Sequence, residues 1–282
     1  MKIELCATTT GIGDHVTAVY TACGLANAGH EVVFYTKYNK WLARVQHPNL
    51  KIERDQECDF SVYWRYDEEL VAAYEGTCKS RADWYAQNTS DYYGIPKTDP
   101  ALPEVILGAT KPNTNIKPYV LIAPFSAGMT RAWEDLQWQL LAEDLLSKNL
   151  EVIAVCSEKE APILHKMFDY LPRVQQISGA SPEDVLNLIH YATKIVANDS
   201  SIAHLSALLR KEVVVVCAHV KPEFVFGVAM PYIIPVSPDR TDYPCTWCCW
   251  THNGGLRWAC HERCDALQSI EHTRVIPILQ VA

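Results

Sequence analysis

Between Tyr119 and Cys217 the chain switches repeatedly between short apolar runs and longer amphipathic segments. The runs at Tyr119 to Ala123, Glu151 to Cys156, Val174 to Ile177, Lys194 to Ala197 and Glu212 to Cys217 have the length and composition of buried strands. Helical spacing fills the intervals: Trp133 to Leu146, Glu160 to Tyr170, a segment opened by Ser181-Pro182-Glu183-Asp184, and Ile202 to Leu209. Ser181 suits an N-cap, Pro182 the first turn, and the acids the positive end of the helix dipole. Strands separated by helices pair in parallel, because the crossover needs a dozen or more residues. The second half therefore predicts a doubly wound α/β sheet.

The first third repeats the alternation. Ile3 to Cys6 reads as a strand, Thr8 to Gly13 as a polar turn, and Val16, Val19, Tyr20, Cys23 and Leu25 recur at helical spacing until Gly29, a C′ residue. Glu31 to Thr36 is the next strand, which completes a βαβ unit. Further strands are expected at Lys51 to Glu53 and Phe60 to Tyr63, and a helix over Asp67 to Tyr92. Five prolines then punctuate Tyr93 to Pro118, the expected interdomain connection, with a strand at Glu104 to Leu107. A chain of 282 residues, 49% hydrophobic, can fill two cores. The expected organisation is two Rossmann-like domains, over 1–117 and 118–282, with a ligand cleft between them.

Charge narrows the function classes. Lys and Arg total 25 against 33 Asp and Glu, a net charge of −8, which argues against a broad grip on nucleic acid or anionic membrane. No apolar run reaches the eighteen residues of a membrane span. The start, Met1 to Cys6, lacks the apolar core and cleavage site of a signal peptide. Six of eleven cysteines are scattered singly, which fits reduced thiols and a cytoplasmic setting.

The sharpest local pattern is Val196-Ala197-Asn198-Asp199-Ser200-Ser201-Ile202-Ala203-His204-Leu205. A strand ends, polar residues follow and a helix starts, so unpaired backbone N–H groups point to the strand's carboxyl edge, a seat for a diphosphate. An ordinary N-cap and a packed His204 fit the same spacing. In the first domain, Asp14 after Gly11-Ile12-Gly13 suits either a helix N-cap or a carboxylate base at the sheet's mouth.

Asn-Asp-Ser-x-x-x-His-Leu-x-Ala after a strand resembles the ADP-heptose:lipopolysaccharide heptosyltransferases, glycosyltransferase family 9. Gly11-Ile12-Gly13-Asp14 is similar to that family's N-terminal turn, and Pro124-Phe125-Ser126-Ala127-Gly128 with Arg131-x-Trp133 to its phosphate-side loop. The resemblance implies a GT-B fold and inverting transfer of a heptose or similar sugar from a nucleotide-diphospho-sugar, without a catalytic metal. It implies Asp14 as the base and Arg131 as the charge opposing the leaving diphosphate. Gly13, Ser126, Gly128, Ser200, Ser201 and His204 would line the donor site, and Asp199 would hold sugar hydroxyls. Ser201 stands where the family usually has Gly, and Arg131 where it often has Lys, a point charge rather than a fork. The N-terminal half, which selects the acceptor, is shorter than usual. The acceptor, a hydroxyl on lipid, protein or nucleic acid, stays open.

Five cysteines fall within residues 245–264. Cys245 and Cys248 form CxxC, and Cys260 and Cys264 form CxxxC, paired short spacings that suit a tetrahedral thiolate site with a folding role. Cys249, His252 and His261 are spare donors, and Cys249 competes with Cys248. The cluster resembles the four-cysteine iron finger of autotransporter heptosyltransferases; spacing alone leaves zinc and iron open. Trp247, Trp250 and Trp258 either pack on this knuckle or stack on a ligand. From Ser269 a closing helix is expected, ending at Pro277. Rival readings are a nucleotide-sugar epimerase, a nucleic-acid-base glycosyltransferase and a non-catalytic sugar-nucleotide-binding protein.

Overall fold

A computed structural model describes residues 1–7, 11–54, 79–106, 118–218, 220–239, 241, 243 and 264–280. The chain divides into two compact units: Met1–Gly108 with Pro222–Pro231, and Ala109–Lys221 with Tyr232–Ala282.

In the first unit, β1 (Lys2–Cys6), α1 (Ile12–Asn27) and β2 (Glu31–Thr36) form the βαβ unit, with Lys2 opposite Glu31 and Cys6 opposite Tyr35 in parallel register. Gly29 takes the left-handed φ of 87° that ends α1, and the His30 amide reaches back to the Leu25 carbonyl. The short β3 (Val45–Gln46) precedes β4 (Leu50–Arg54), which lies parallel to β2. The expected helix over Asp67 to Tyr92 has a narrower described extent: residues 55–78 lie outside the described residues, and α2 (Arg81–Tyr93) starts at Ser80. The Ser80 side chain accepts from the Asp83 amide, so this N-cap breaks any continuous run through residue 80. The expected strand at Phe60 to Tyr63 also falls outside. The strand foreseen at Glu104 is β5 (Glu104–Val105), antiparallel to β3.

The second unit is built on β6 (Tyr119–Ala123), α3 (Asp135–Ser147), β7 (Glu151–Cys156), α4 (Ala161–Met167), β8 (Val174–Ser178), α5 (Pro182–Tyr191), β9 (Lys194–Asn198), α6 (Ser201–Leu208) and β10 (Val213–Val216). A helical segment, α7 (Pro222–Phe226), joins the first unit before the chain returns as β11 (Ile233–Val236). Among the described residues the strands order as β11-β10-β9-β6-β7-β8, all parallel. Every residue of β6 and β10 is buried, as strands covered on both faces require. Pro235 sits in β11 because that strand is at the sheet edge, where a missing N–H costs nothing in the ladder.

The core of this unit joins Val120, Ile122, Trp133, Trp138 and Leu141 to Ala266, Leu267, Ile270 and Val275 of the C-terminal stretch. The expected stop at Pro277 is corrected. α8 (Asp265–Gln268) is followed by α9 (Ile276–Leu279), and Pro277 lies in the first turn of the latter, where its missing N–H is an orphan donor in any case. No helix among the described residues is long and apolar enough to cross a membrane.

Candidate active site

The strand order of the second sheet reverses between β6 and β9, and in open α/β sheets ligands bind outside the carboxyl ends at that point. The two loops leaving those ends are tied to each other. Asn198, fully buried, donates through Nδ2 to the Pro124 carbonyl (2.6 Å) and accepts at Oδ1 from the Trp133 amide (3.3 Å). The Ser126 hydroxyl donates to the Asp199 carbonyl over 2.9 Å. Sequence reasoning gave Asn198 no role of its own; it joins the strand end to both ends of the 124–133 loop.

Arg131 lies on a 3₁₀ turn, its amide bonded to the Gly128 carbonyl. The loop is anchored from behind. Trp133 Nε1 donates to the Ile270 carbonyl (2.7 Å), Gln268 Nε2 to the Ala132 carbonyl (3.0 Å), and the Trp133 and Trp138 rings meet edge-on. From this base the Arg131 guanidinium, about a third exposed, stands 3.8 Å from the Asp199 carboxylate. His204 Nε2 stands at the same distance from the other oxygen, and His204 is buried. Both separations exceed hydrogen-bond length, so Asp199 is flanked rather than clamped. A Cβ on Gly128 would meet Arg131 Nε at 3.5 Å, ordinary contact, so space does not require a glycine there.

Ser200 takes the extended N-cap conformation before α6 but its side chain caps nothing. Its buried hydroxyl has no hydrogen-bond partner among the described residues. The ordinary-N-cap alternative therefore does not hold for this side chain, and Ser201 occupies the first helical position. The structure thus brings Ser126, Gly128, Arg131, Asp199, Ser200, Ser201 and His204 around the carboxyl ends of β6 and β9, within the second unit.

In the first unit, α1 begins at Ile12 with Gly11 at the N-cap, so Asp14 lies inside the first turn and is not the cap. Gly13 precedes it, its carbonyl accepting from the Thr17 hydroxyl. Asp14 Oδ1 instead pairs with Arg81 Nη1 at 2.5 Å. Arg81 escaped sequence reasoning because the contact spans 67 positions and no local pattern marks it. Nearby, buried His15 is bonded at Nδ1 to the Thr36 hydroxyl and meets Tyr38 edge-on. Burial, and then the Asp14 charge, push the Tyr38 phenol up, so it keeps its proton.

Of the expected metal ligands, Cys245, Cys248 and Cys260 lie outside the described residues, as do Cys249, His252 and His261. Cys264 is buried in the core at the N-cap of α8. Among the described residues no group of three potential ligands gathers.

Solved structures match the fold along nearly the whole chain. ADP-heptose LPS heptosyltransferase II of E. coli aligns at TM-score 0.64 and 14% identity over 99% of this chain and 98% of that one. A family 9 glycosyltransferase from Veillonella parvula aligns at 0.68 and 11% over 98% and 95%. The iron-containing dodecameric heptosyltransferase TibC of enterotoxigenic E. coli, in complex with ADP-D-β-D-heptose, aligns at 0.68 and 14% over 98% and 76%. At these identities the likeness is one of fold, the α/β architecture of GT-B heptosyltransferases. No curated protein matches the chain by sequence. The family model of glycosyltransferase family 9 (heptosyltransferase) matches residues 70–246, more than half of the chain. The chain belongs to glycosyltransferase family 9 and is a nucleotide-sugar glycosyltransferase.

Proposed function

We propose that the enzyme moves a heptose or similar sugar from an ADP-sugar to an acceptor hydroxyl with inversion, and that the donor diphosphate rests at the N-terminus of α6. The observation that carries this reading is the Ser200 hydroxyl, buried, capping nothing and without a partner among the described residues, next in sequence to the Asp199 that Arg131 flanks. A phosphate oxygen would satisfy that hydroxyl and the first amides of α6, and the helix dipole favours its charge. The acceptor oxygen attacks the anomeric carbon as the bond to the phosphate oxygen breaks. The electron pair stays on the diphosphate, where Arg131 opposes the new charge, and the acceptor's proton passes to Asp14. Asp199, held through its carbonyl by Ser126 and flanked by Arg131 and His204, offers its carboxylate to sugar hydroxyls. The ADP-heptose bound in TibC makes that compound the first donor to test.

The last cysteine of the C-terminal cluster supports a structural metal, zinc or iron. Cys264 closes the CxxxC pair and stands buried at the N-cap of α8, and paired short spacings of this kind suit a tetrahedral thiolate site. Cys245, Cys248 and Cys260 would complete the set; Cys264 leads directly into the stretch that anchors the Arg131 loop. Such a metal would hold the fold and take no part in transfer. Elemental analysis of the purified protein tests it: close to one zinc or iron per chain is expected, and none contradicts it.

Thermal unfolding with ADP, GDP, UDP and ADP-heptose tests the donor assignment. A ligand at 100 times its Kd stabilises by about 2.7 kcal/mol, so a specific rise in Tm with ADP and ADP-heptose is expected. No rise with any of the four overturns the donor site.

A further inference from the structure

We propose that Arg81 is the positioning residue for the Asp14 carboxylate, holding Oδ1 so that Oδ2 is the oxygen that receives the acceptor's proton. The inference rests on the reading of Asp14 as the base. The Arg81–Asp14 pair is 2.5 Å long, with the arginine side chain 11% exposed and the aspartate 24%. Arg81 occupies the first helical position of α2, and a cation there opposes the helix dipole by roughly 0.3–1 kcal/mol. Helix stability gives no reason for an arginine at this position; reach to Asp14 does.

The start of α2 is fixed from three sides. Ser80 Oγ accepts from the Asp83 amide (3.1 Å), Asp83 Oδ2 accepts from the Lys79 amide (3.0 Å), and Asp83 Oδ1 pairs with Lys97 Nζ (2.7 Å). Gly227, at φ 51°, passes so close that a Cβ on it would lie 2.8 Å from Ser80. The guanidinium therefore extends from a helix start tied down by these contacts.

The other carboxylate oxygen faces a glycine. A Cβ on Gly11 would stand 3.3 Å from Asp14 Oδ2, tighter than ordinary contact. One oxygen is held by charge, and a side chain at position 11 would crowd the other. Proton transfer at Oδ2 leaves the Oδ1 contact in place, so Arg81 orients the base in both of its protonation states.

The test compares Arg81→Met, Arg81→Lys, Gly11→Ala and Asp14→Asn by ADP release from ADP-heptose, with glycerol as the hydroxyl acceptor. Misaligning a catalytic group by about 1 Å costs up to ~10²-fold, so Arg81→Met should lower kcat by about 10–100-fold with the donor KM within about twofold. Arg81→Lys should recover part of that loss, and Gly11→Ala should lower kcat while leaving the ion pair in place. A merely structural Arg81 would lower Tm and active fraction without this split or rescue. If Arg81→Met turns over at the wild-type rate while Asp14→Asn is inactive, the positioning role is wrong and the base stands. If Asp14→Asn transfers normally, the base reading itself falls. Guanidinium ¹⁵N resonances provide a readout independent of turnover. Asp14→Asn should shift the Arg81 Nη signals and speed their rotation, and signals indifferent to that change overturn the proposal.

Discussion

The Ser126 hydroxyl donates to the backbone carbonyl of Asp199, so the loops that leave β6 and β9 are bonded to each other at the point where the strand order reverses. The sheet thereby presents residues from two chain segments as one surface. That surface carries a buried hydroxyl with no partner among the described residues, and the first prediction concerns it.

Ser200→Ala removes a hydroxyl that makes no hydrogen bond among the described residues. Folding stability should stay within about 0.5 kcal/mol of the wild type. Affinity for ADP should fall by roughly tenfold, the worth of one hydrogen bond to a charged phosphate. Urea unfolding and calorimetric titration with ADP read the two effects separately.

Asn198→Leu is expected to behave in the opposite way. The substitution keeps the number and branching of side-chain heavy atoms but leaves the Pro124 carbonyl and the Trp133 amide without their buried partner. Two such groups cost roughly 2–4 kcal/mol together, which urea unfolding should register. The 124–133 loop should also become more accessible to protease.

Gly24 lies in α1 where the segment after α2 crosses it, and the Ala101 amide bonds to the Tyr20 carbonyl there. A Cβ at Gly24 would fall 2.2 Å from the Asp99 carbonyl oxygen, a backbone atom that cannot step aside cheaply. Gly24→Ala should destabilise the first unit by about 1–3 kcal/mol even though alanine favours helix. Thermal unfolding followed by circular dichroism checks it.

Burial pushes the Cys23 thiol up from 9.0 to about 12, so the folded state holds a proton that the unfolded chain gives up earlier. Its contribution is complete below about pH 9 and is lost as pH rises through about 12, at up to about 1.4 kcal/mol per pH unit. Burial, and then the Cys23 charge, push Tyr20 in the same direction, adding to the loss at higher pH. Cys23→Ala should flatten the fall in stability just above pH 9, measured by denaturation at fixed pH. At neutral pH Cys23, and Cys156 with its thiol at about 11 mainly through burial, should label slowly with iodoacetamide.

Much of this architecture is legible in residue order because it is local. Runs such as Tyr119 to Ala123 bury every side chain and have no alternative place in a fold, and Ser181-Pro182-Glu183-Asp184 specifies a helix start through its own capping bond. β11 was not foreseen, because Pro235 argues against a strand unless its edge position is known. Nor was the return of Pro222–Pro231 to the first unit, which depends on packing such as that of Gly227 on Ser80. In the site, the Asn198-Asp199-Ser200 turn could be read from its neighbours in sequence. Arg81 and the Trp133–Ile270 anchor could not, since their partners lie 67 and 137 positions away and nothing in either segment marks the other.

The central claim is that Arg131 and the α6 terminus receive the donor diphosphate. It is tested most directly by kcat/KM for ADP release from ADP-heptose in the wild type and Arg131→Met. Removing one well-aimed charge opposite the leaving group should cost about 10²–10³-fold, with Tm little changed because the Asp199 carboxylate lies beyond hydrogen-bond reach of Arg131. Equal kcat/KM in the two proteins, with ADP release clearly measurable in both, would contradict the account.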